Sequence, residues 1–534
     1  MRAVRAFLLL AGFYLLGVAM LGLLVGLDVV IYVGDVPSSI AVKLVIVSVL
    51  LAIPLVRGMF QIRAPRDKGG DGLVVTEQQQ PELWQSVRTL AREAGTRAPD
   101  EILLTGDVNA SVSENARLMG LLPGTRRMRV GVPLMTGLTE PQLYAVLGHE
   151  LGHYCNADTR LSAVTLRGRH TMSRTVEAFH ERAEKAVGRE RAKQEKRNTK
   201  RIAKGKEAQE VNAGIAGFSY RLMARPFIGY AHFYLRATLK DGRAQELAAD
   251  RIAARVAGRD VTASALREIP VLDSAFDYYM DSYATLGTGA GLLPPRGEVF
   301  GGLRHLLAAR RDELAGMRAD LPHEETSPYD SHPPIADRVA LLAQLPDDGR
   351  GLPPARPALA VLRDPAATLA ALEDAVLTPE ARALRRADWP QLVHESLRTY
   401  VDRGAEQLRR ATAEVGGGPG TLDALLWAVD NGRQWAVVDR LPKSAEAAAA
   451  TGRAAREYAR PLLRSGLKSL AVLELVDSRQ AWWELSWSAE AALRLPQGYE
   501  ERLEAALDAA VSDTPNTGPL RTLLPHRAAT PSMG

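Results

Sequence analysis

Two long apolar runs open the chain, and the hydrophobic pattern changes character after them. Ala6 to Val33 is almost continuously apolar, interrupted only by Asp28, and Ile40 to Val56 is a second such run with a single charge, Lys43. As helices both reach across about 30 Å of hydrocarbon, the second only just. A cleaved signal peptide is the rival reading, since Arg2 and Arg5 precede the first run. That run is too long for a signal core and a second follows it closely, so residues 1–63 are expected to form a transmembrane helical hairpin in a lipid bilayer.

Beyond the hairpin the periodicity shortens to that of a folded domain. Residues 64–80 are polar and read as a linker. Leu83, Trp84, Val87 and Leu90 share one face of a helix expected over Pro81 to Gly95. Glu101 to Thr105, Val108 to Val112 and Arg127 to Val132 read as short strands. Thr139-Glu140-Pro141-Gln142 then offers an N-cap, a proline in the first turn and a Gln to close a capping box. The helix it starts continues through Leu143, Val146 and Leu147. Val211 to Ala237 is apolar but broken by Arg221, Arg225, Pro226 and Arg236, which predicts two short helices at the interface or on the core. Gly242 to Val256 is helical again. From Gly351 to the end the pattern is helical around Gly416-Gly417-Gly418-Pro419-Gly420, with a hairpin expected from Leu470 to Val476 and Trp482 to Trp487.

Charge adds orientation. Arg57, Arg63, Arg66 and Lys68 follow the hairpin, whereas its turn, Gly34-Asp35-Val36-Pro37-Ser38-Ser39, holds no basic residue. Both ends of the hairpin, and everything after it, are therefore expected on the cytoplasmic side of the cell membrane. Glu181 to Glu210 holds eleven Lys/Arg against six Asp/Glu, a solvated helix or insert, with anionic lipid headgroups as the sharper reading. Nucleic acid is excluded as a partner, because acids are interspersed and no aromatic residue interleaves. Composition favours helices, with 6% aromatic residues in an Ala-, Leu- and Arg-rich chain. The expected fold is mainly α with a small mixed β sheet, an α+β catalytic domain. The single cysteine, Cys155, permits no intramolecular disulfide and reads as an inert thiol.

The chemistry lies in His149-Glu150-Leu151-Gly152-His153. Imidazoles four residues apart stand on one face of a helix, about 6 Å apart, where they can share one zinc ion. Glu150 projects beside that metal, placed to take a proton from a water activated there. A third ligand is needed, and two Glu-x-x-x-Asp helices offer one: Glu246 with Asp250, and Glu504 with Asp508. Glu246 is preferred because Leu247, Ile252 and Ala253 make its helix apolar. Asp250, one turn on, then orients a ligating imidazole.

Gly137 to Asp158, the helix from Glu246 to Asp250, and Ser331-His332-Pro333-Pro334 together resemble the HtpX and CAAX-prenyl-protease family of membrane zinc metallopeptidases, which are gluzincins. The resemblance covers about residues 75–345. It implies His149, His153 and Glu246 as zinc ligands, Glu150 as base and Asp250 supporting a ligand. It places His332 at the family's late histidine, which stabilises the oxyanion, with Arg338 supporting it; a histidine capping a turn is the other reading of His332. Asn109-Ala110 resembles the start of the edge strand with which that family binds substrate. The sequence departs from the family where two further spanning helices often stand, having a basic insert instead, and Ser111-Val112 do not continue the edge-strand pattern.

The expected organisation is a hairpin anchor over 1–63, a zinc peptidase domain over 75–345 with the basic insert at 181–210, and a helical region over 351–534. The expected function is hydrolysis of peptide bonds in membrane or membrane-proximal proteins. The alternative is a non-proteolytic zinc-holding membrane scaffold or signalling module whose C-terminal region binds a protein partner.

Overall fold

The computed structural model describes residues 2–34, 37–60, 72–114, 124–155, 159–202, 217–320, 333–352, 354, 356–442 and 450–524. The chain gathers into two compact units, Met1–Val271 with Met317–Pro365, and Leu272–Gly316 with Ala366–Gly534.

In the first unit the two apolar runs are helices, α1 (Arg2–Val33) and α2 (Ser38–Phe60). Leu8–Val33 and Ser38–Val56 are long and apolar enough to cross a membrane. Large side chains stand bare along them, Leu15 and Val30 each 68% exposed. Such surfaces suit lipid far better than water.

β1 (Leu73–Val75) lies inside residues 64–80, expected as a linker, where pairing with the next strand and burial of Val75 make it part of the fold. α3 (Pro81–Ala94), β2 (Glu101–Thr105), β3 (Ala110–Glu114) and β4 (Arg126–Gly131) follow. The strands form one sheet in the order β1-β2-β4-β3, so β3 is an edge strand. β2 and β4 run parallel, and β1 and β3 lie antiparallel to their neighbours. The third and fourth strands sit a residue or two from their expected bounds. Ile102, Leu104, Met128 and Val130 fill the sheet, while Leu83, Val87 and Leu90 of α3 are buried as their spacing predicts. α3 ends at Gly95, whose left-handed backbone (φ 80°) only glycine adopts freely. Gly131 has no room for a side chain, since a Cβ there would strike the backbone of Asp107 and Asn109.

α4 (Val132–Gly137) continues from β4 and α5 (Glu140–Gly152) follows. The Thr139 N–H donates to Gln142 Oε1 at 2.9 Å, the capping contact expected from sequence. Two long helices come next, α6 (Thr159–Ile202) and α7 (Phe218–Ala257). Much of the charged stretch lies on α6. α7 is one helix, not the two short ones expected. Ala224, Phe227 and Tyr234 form a buried stripe on it, packed with Phe13 of α1, Leu55 of α2, and Met172 and Phe179 of α6. Arg221, Arg225, Pro226 and Arg236 are exposed, so the breaks in the apolar pattern mark its wet side. α8 (Arg259–Tyr279) begins after Gly258, and α9 (Ile335–Ala343) packs Val339 and Leu342 on Ala254 and Leu266.

The second unit is built mainly on α10 (Trp389–Gly416), α11 (Leu422–Asp430), α12 (Gly452–Asp477) and α13 (Tyr499–Ala510). Leu470 to Val476, expected as a strand, is the buried last third of α12. Trp482–Glu484 pairs with Ala492–Arg494 instead. Glu504 and Asp508, the rival metal pair, are engaged by Arg464 and Lys468 at 2.5–2.6 Å, an ion-pair network between α12 and α13.

Candidate metal centre

α5 and α7 lie against each other along a seam of small residues. A Cβ on Gly152 would come within 3.0 Å of the Ala249 Cα, and one on Gly148 within 3.6 Å of the Ala253 Cα. Each helix thus offers two small residues four apart, and their backbones approach closely. That approach carries Glu246 to the two histidines of α5.

His149 Nε2 stands 3.2 Å from His153 Nε2. Glu246 Oε2 is 3.5 Å from His149 Nε2, and Oε1 is 3.8 Å from His153 Nε2. Bonds of about 2 Å in a tetrahedron set neighbouring ligand atoms about 3.3 Å apart. Two nitrogens and one oxygen at these separations fit one metal ion. Among the described residues, these three make up the cluster, their donor atoms all within 4.8 Å of one another.

Behind the histidine stands an ion pair. His149 Nδ1 lies 2.9 Å from Asp250 Oδ1. Arg338 grips the same carboxylate with two bonds, Nη2 to Oδ1 at 2.6 Å and Nε to Oδ2 at 2.9 Å. Asp250 and Arg338 are both buried. Burial works to raise the Asp250 carboxyl, but the bonds from Arg338 and His149 outweigh it and hold the group below the usual carboxylate range. Burial works to lower the His149 imidazole, and the bonds to Asp250 and Glu246 overcome it, carrying its pKa to about 9. That favours a proton on His149 wherever no metal holds it. Glu150 is half-buried on the same helix, and its charge helps raise His149.

Asn109 and Ala110 lie where β3 begins. The Asn109 carbonyl accepts from the Gly131 N–H at 2.7 Å, turned into the sheet. His332 lies outside the described residues. Cys155 Sγ donates to the Leu151 carbonyl at 3.1 Å, and burial pushes its thiol up, as suits an inert group. Two features escaped the sequence reading. The small-residue seam was legible, as Gly148 with Gly152 and Ala249 with Ala253. The other is Tyr154, directly after the second histidine, whose hydroxyl donates to the Val112 carbonyl at 2.7 Å; no local pattern announces it.

Residues 77–345, just over half of the chain, match the model of Peptidase family M48. The chain belongs to that family. It is similar to a "Protease HtpX homolog" of Acidovorax ebreus (strain TPSY), 29% identical over 118 residues. The match spans 21% of this chain and 34% of that relative, so it covers about a third of the relative's length. No solved structure matches.

Proposed function

We propose that this M48 member is a membrane-anchored zinc-dependent endopeptidase that cuts membrane or membrane-proximal proteins at the cytoplasmic face. The observation that carries this reading is the convergence of His149, His153 and Glu246 at separations suited to a single tetrahedral ion, on the helix that also carries Glu150. Zinc, when bound, supplies a Lewis acid that makes water more acidic and polarises a peptide carbonyl. Glu150 takes the proton of the attacking water and delivers it to the leaving amine. His332 donates to the oxyanion, the role that the resemblance to the family's late histidine implies. Asp250 fixes the tautomer of His149, and Arg338 supports both, its guanidinium bound twice to the Asp250 carboxylate and 3.4 Å from His149 Nδ1. Ala110 and its neighbours on β3 offer a strand edge for an extended substrate.

The position of the anchor supports membrane-proximal substrates. Phe13 of α1 and Leu55 of α2 are fully buried in the cluster with α6 and α7, and Leu9, Tyr14, Leu16, Met20 and Leu21 of α1 pack around it. The packing thus runs from the basic end of the hairpin, which the positive-inside rule assigns to the cytoplasm, to the middle of α1.

The test is Glu150→Gln in the full-length protein reconstituted in detergent or nanodiscs. It is expected to keep its bound zinc and to lose casein hydrolysis by about a hundredfold or more. In parallel, membranes of cells carrying wild-type or Glu150→Gln protein are compared by proteomics for lost cleavage products. A Glu150→Gln protein that still hydrolyses would sink the mechanism, and one that hydrolyses nothing yet sustains the cellular phenotype would favour a scaffold.

A further inference from the structure

Among the described residues no strand pairs with the outer edge of β3, and that edge is partly occupied by a side chain of the protein itself. Because Asn109 turns its carbonyl to Gly131, alternation turns the N–H and C=O of Ala110, Val112 and Glu114 to the opposite, open side. An extended peptide lying along that side pairs with those residues. At Val112 the place of the incoming N–H is taken by the Tyr154 hydroxyl, 2.7 Å from the carbonyl oxygen.

Tyr154 is held there at three points. The Arg126 guanidinium lies over its ring, 4.7 Å from the centroid. Thr96 Oγ1 donates to its backbone carbonyl at 3.1 Å. Its hydroxyl makes the bond to Val112. Arg126 is itself fixed, paired with Glu114 at 2.9 Å and donating to Thr96 at 3.0 Å. A peptide can displace this side chain only by breaking the hydroxyl bond and unstacking the ring.

We propose that Tyr154 is a specificity-determining residue that ends strand addition at Val112. This rests on the peptidase reading above. A substrate antiparallel to β3 pairs with Ala110 but not with the Val112 carbonyl. The residues it cannot pair are those amino-terminal to the one facing Ala110. The substrates selected are those extended for a short stretch before the cut bond, such as segments leaving a membrane helix or a turn, rather than long strands.

The test uses full-length wild type, Tyr154→Ala and Tyr154→Phe on nested synthetic peptides built around one bond of β-casein that the protein cuts, lengthened residue by residue at the amino-terminal side. For wild type, kcat/KM is expected to level off at the residue facing Ala110. For Tyr154→Ala it continues to climb, raising the ratio of long to short peptides by about threefold to tenfold, the worth of one recovered backbone hydrogen bond. Tyr154→Phe, which keeps the ring, falls between them. N-methylation of the amide that meets Val112 is expected to slow Tyr154→Ala and leave wild type unaffected. Zinc content and melting temperature, measured alongside, separate a folding defect from a changed length profile. An identical profile in all three proteins, or wild type slowed by the N-methyl group, overturns the proposal. If wild type cuts no peptide and Glu150→Gln matches it in every assay, the peptidase reading fails and takes this one with it.

Discussion

Asp250 is held on one side by Arg338 and on the other by His149, and both neighbours depend on it. Removing its charge leaves a buried guanidinium without its carboxylate and the imidazole of His149, a proposed zinc ligand, without its acceptor. Asp250→Asn is therefore expected to weaken zinc binding about 10- to 100-fold, read by competition with a fluorescent chelator. Arg338→Lys, which loses the two-pronged grip but keeps the charge, is expected to give a smaller loss. The proton on His149 sets a pH dependence. Its pKa in the metal-free fold is raised from 6.5 to about 9, so it contributes stability that is fully present below pH 6.5 and lost as pH rises through 9. Apo protein is thus expected to lose melting temperature across that window, while zinc, which needs the neutral ring, binds more tightly as pH rises toward 9. Calorimetry with and without chelator checks both directions. Of these residues, the two histidines were legible because i, i+4 spacing is a local property of one helix. Glu246 was legible from the apolar character of its surroundings. Arg338's grip on Asp250 spans 88 positions, and no local pattern encodes it.

The seam between α5 and α7 decides whether His149, His153 and Glu246 meet. Gly152→Ala adds one methyl group against the Ala249 backbone, 3.0 Å away, and helices cannot part there without carrying Glu246 off the histidines. We expect a loss of about 1–3 kcal/mol in stability, visible in urea melts, together with weaker zinc binding. Gly148→Ala, with 3.6 Å of room, is expected to be milder. Helix existence in this region was readable, but helix length was not. The arginines and proline between Arg221 and Arg236 looked like interruptions because the apolar partners that bury the other face lie far off in the chain, Met172 and Phe179 on α6 and Phe13 and Leu55 about 170 to 220 positions earlier. Tertiary packing likewise decided the fate of Leu470 to Val476. Leucine, alanine and glutamate in that stretch favour a helix, and the buried side chains of Leu470, Leu473 and Val476 keep it one.

Sidedness is testable with the chain's own chemistry, since Cys155 is its single cysteine. In a Cys155→Ala background, Ser39→Cys at the hairpin turn is expected to react with a membrane-impermeant maleimide added to intact cells. Thr76→Cys, beyond the second helix, is expected to react only after lysis. The opposite pattern would reverse the assigned orientation. The hairpin itself was readable because membrane spans are encoded by composition over about 20 residues and need no tertiary partner.

α7 connects the anchor to the chemistry as a single rod. From Tyr234, packed beside the hairpin, to Glu246 of the candidate metal centre is twelve positions of unbroken helix, about 18 Å at 1.5 Å per residue. The protein therefore carries a built-in ruler. On the proposed peptidase function, a bond would be cut only if it reached that distance from the hairpin, which would make distance from the anchor, as much as side-chain identity, a criterion of substrate choice. Lengthening the rod by one residue also turns everything beyond it by about 100°, so the ruler cannot be extended in small steps without swinging Glu246 away from the histidines.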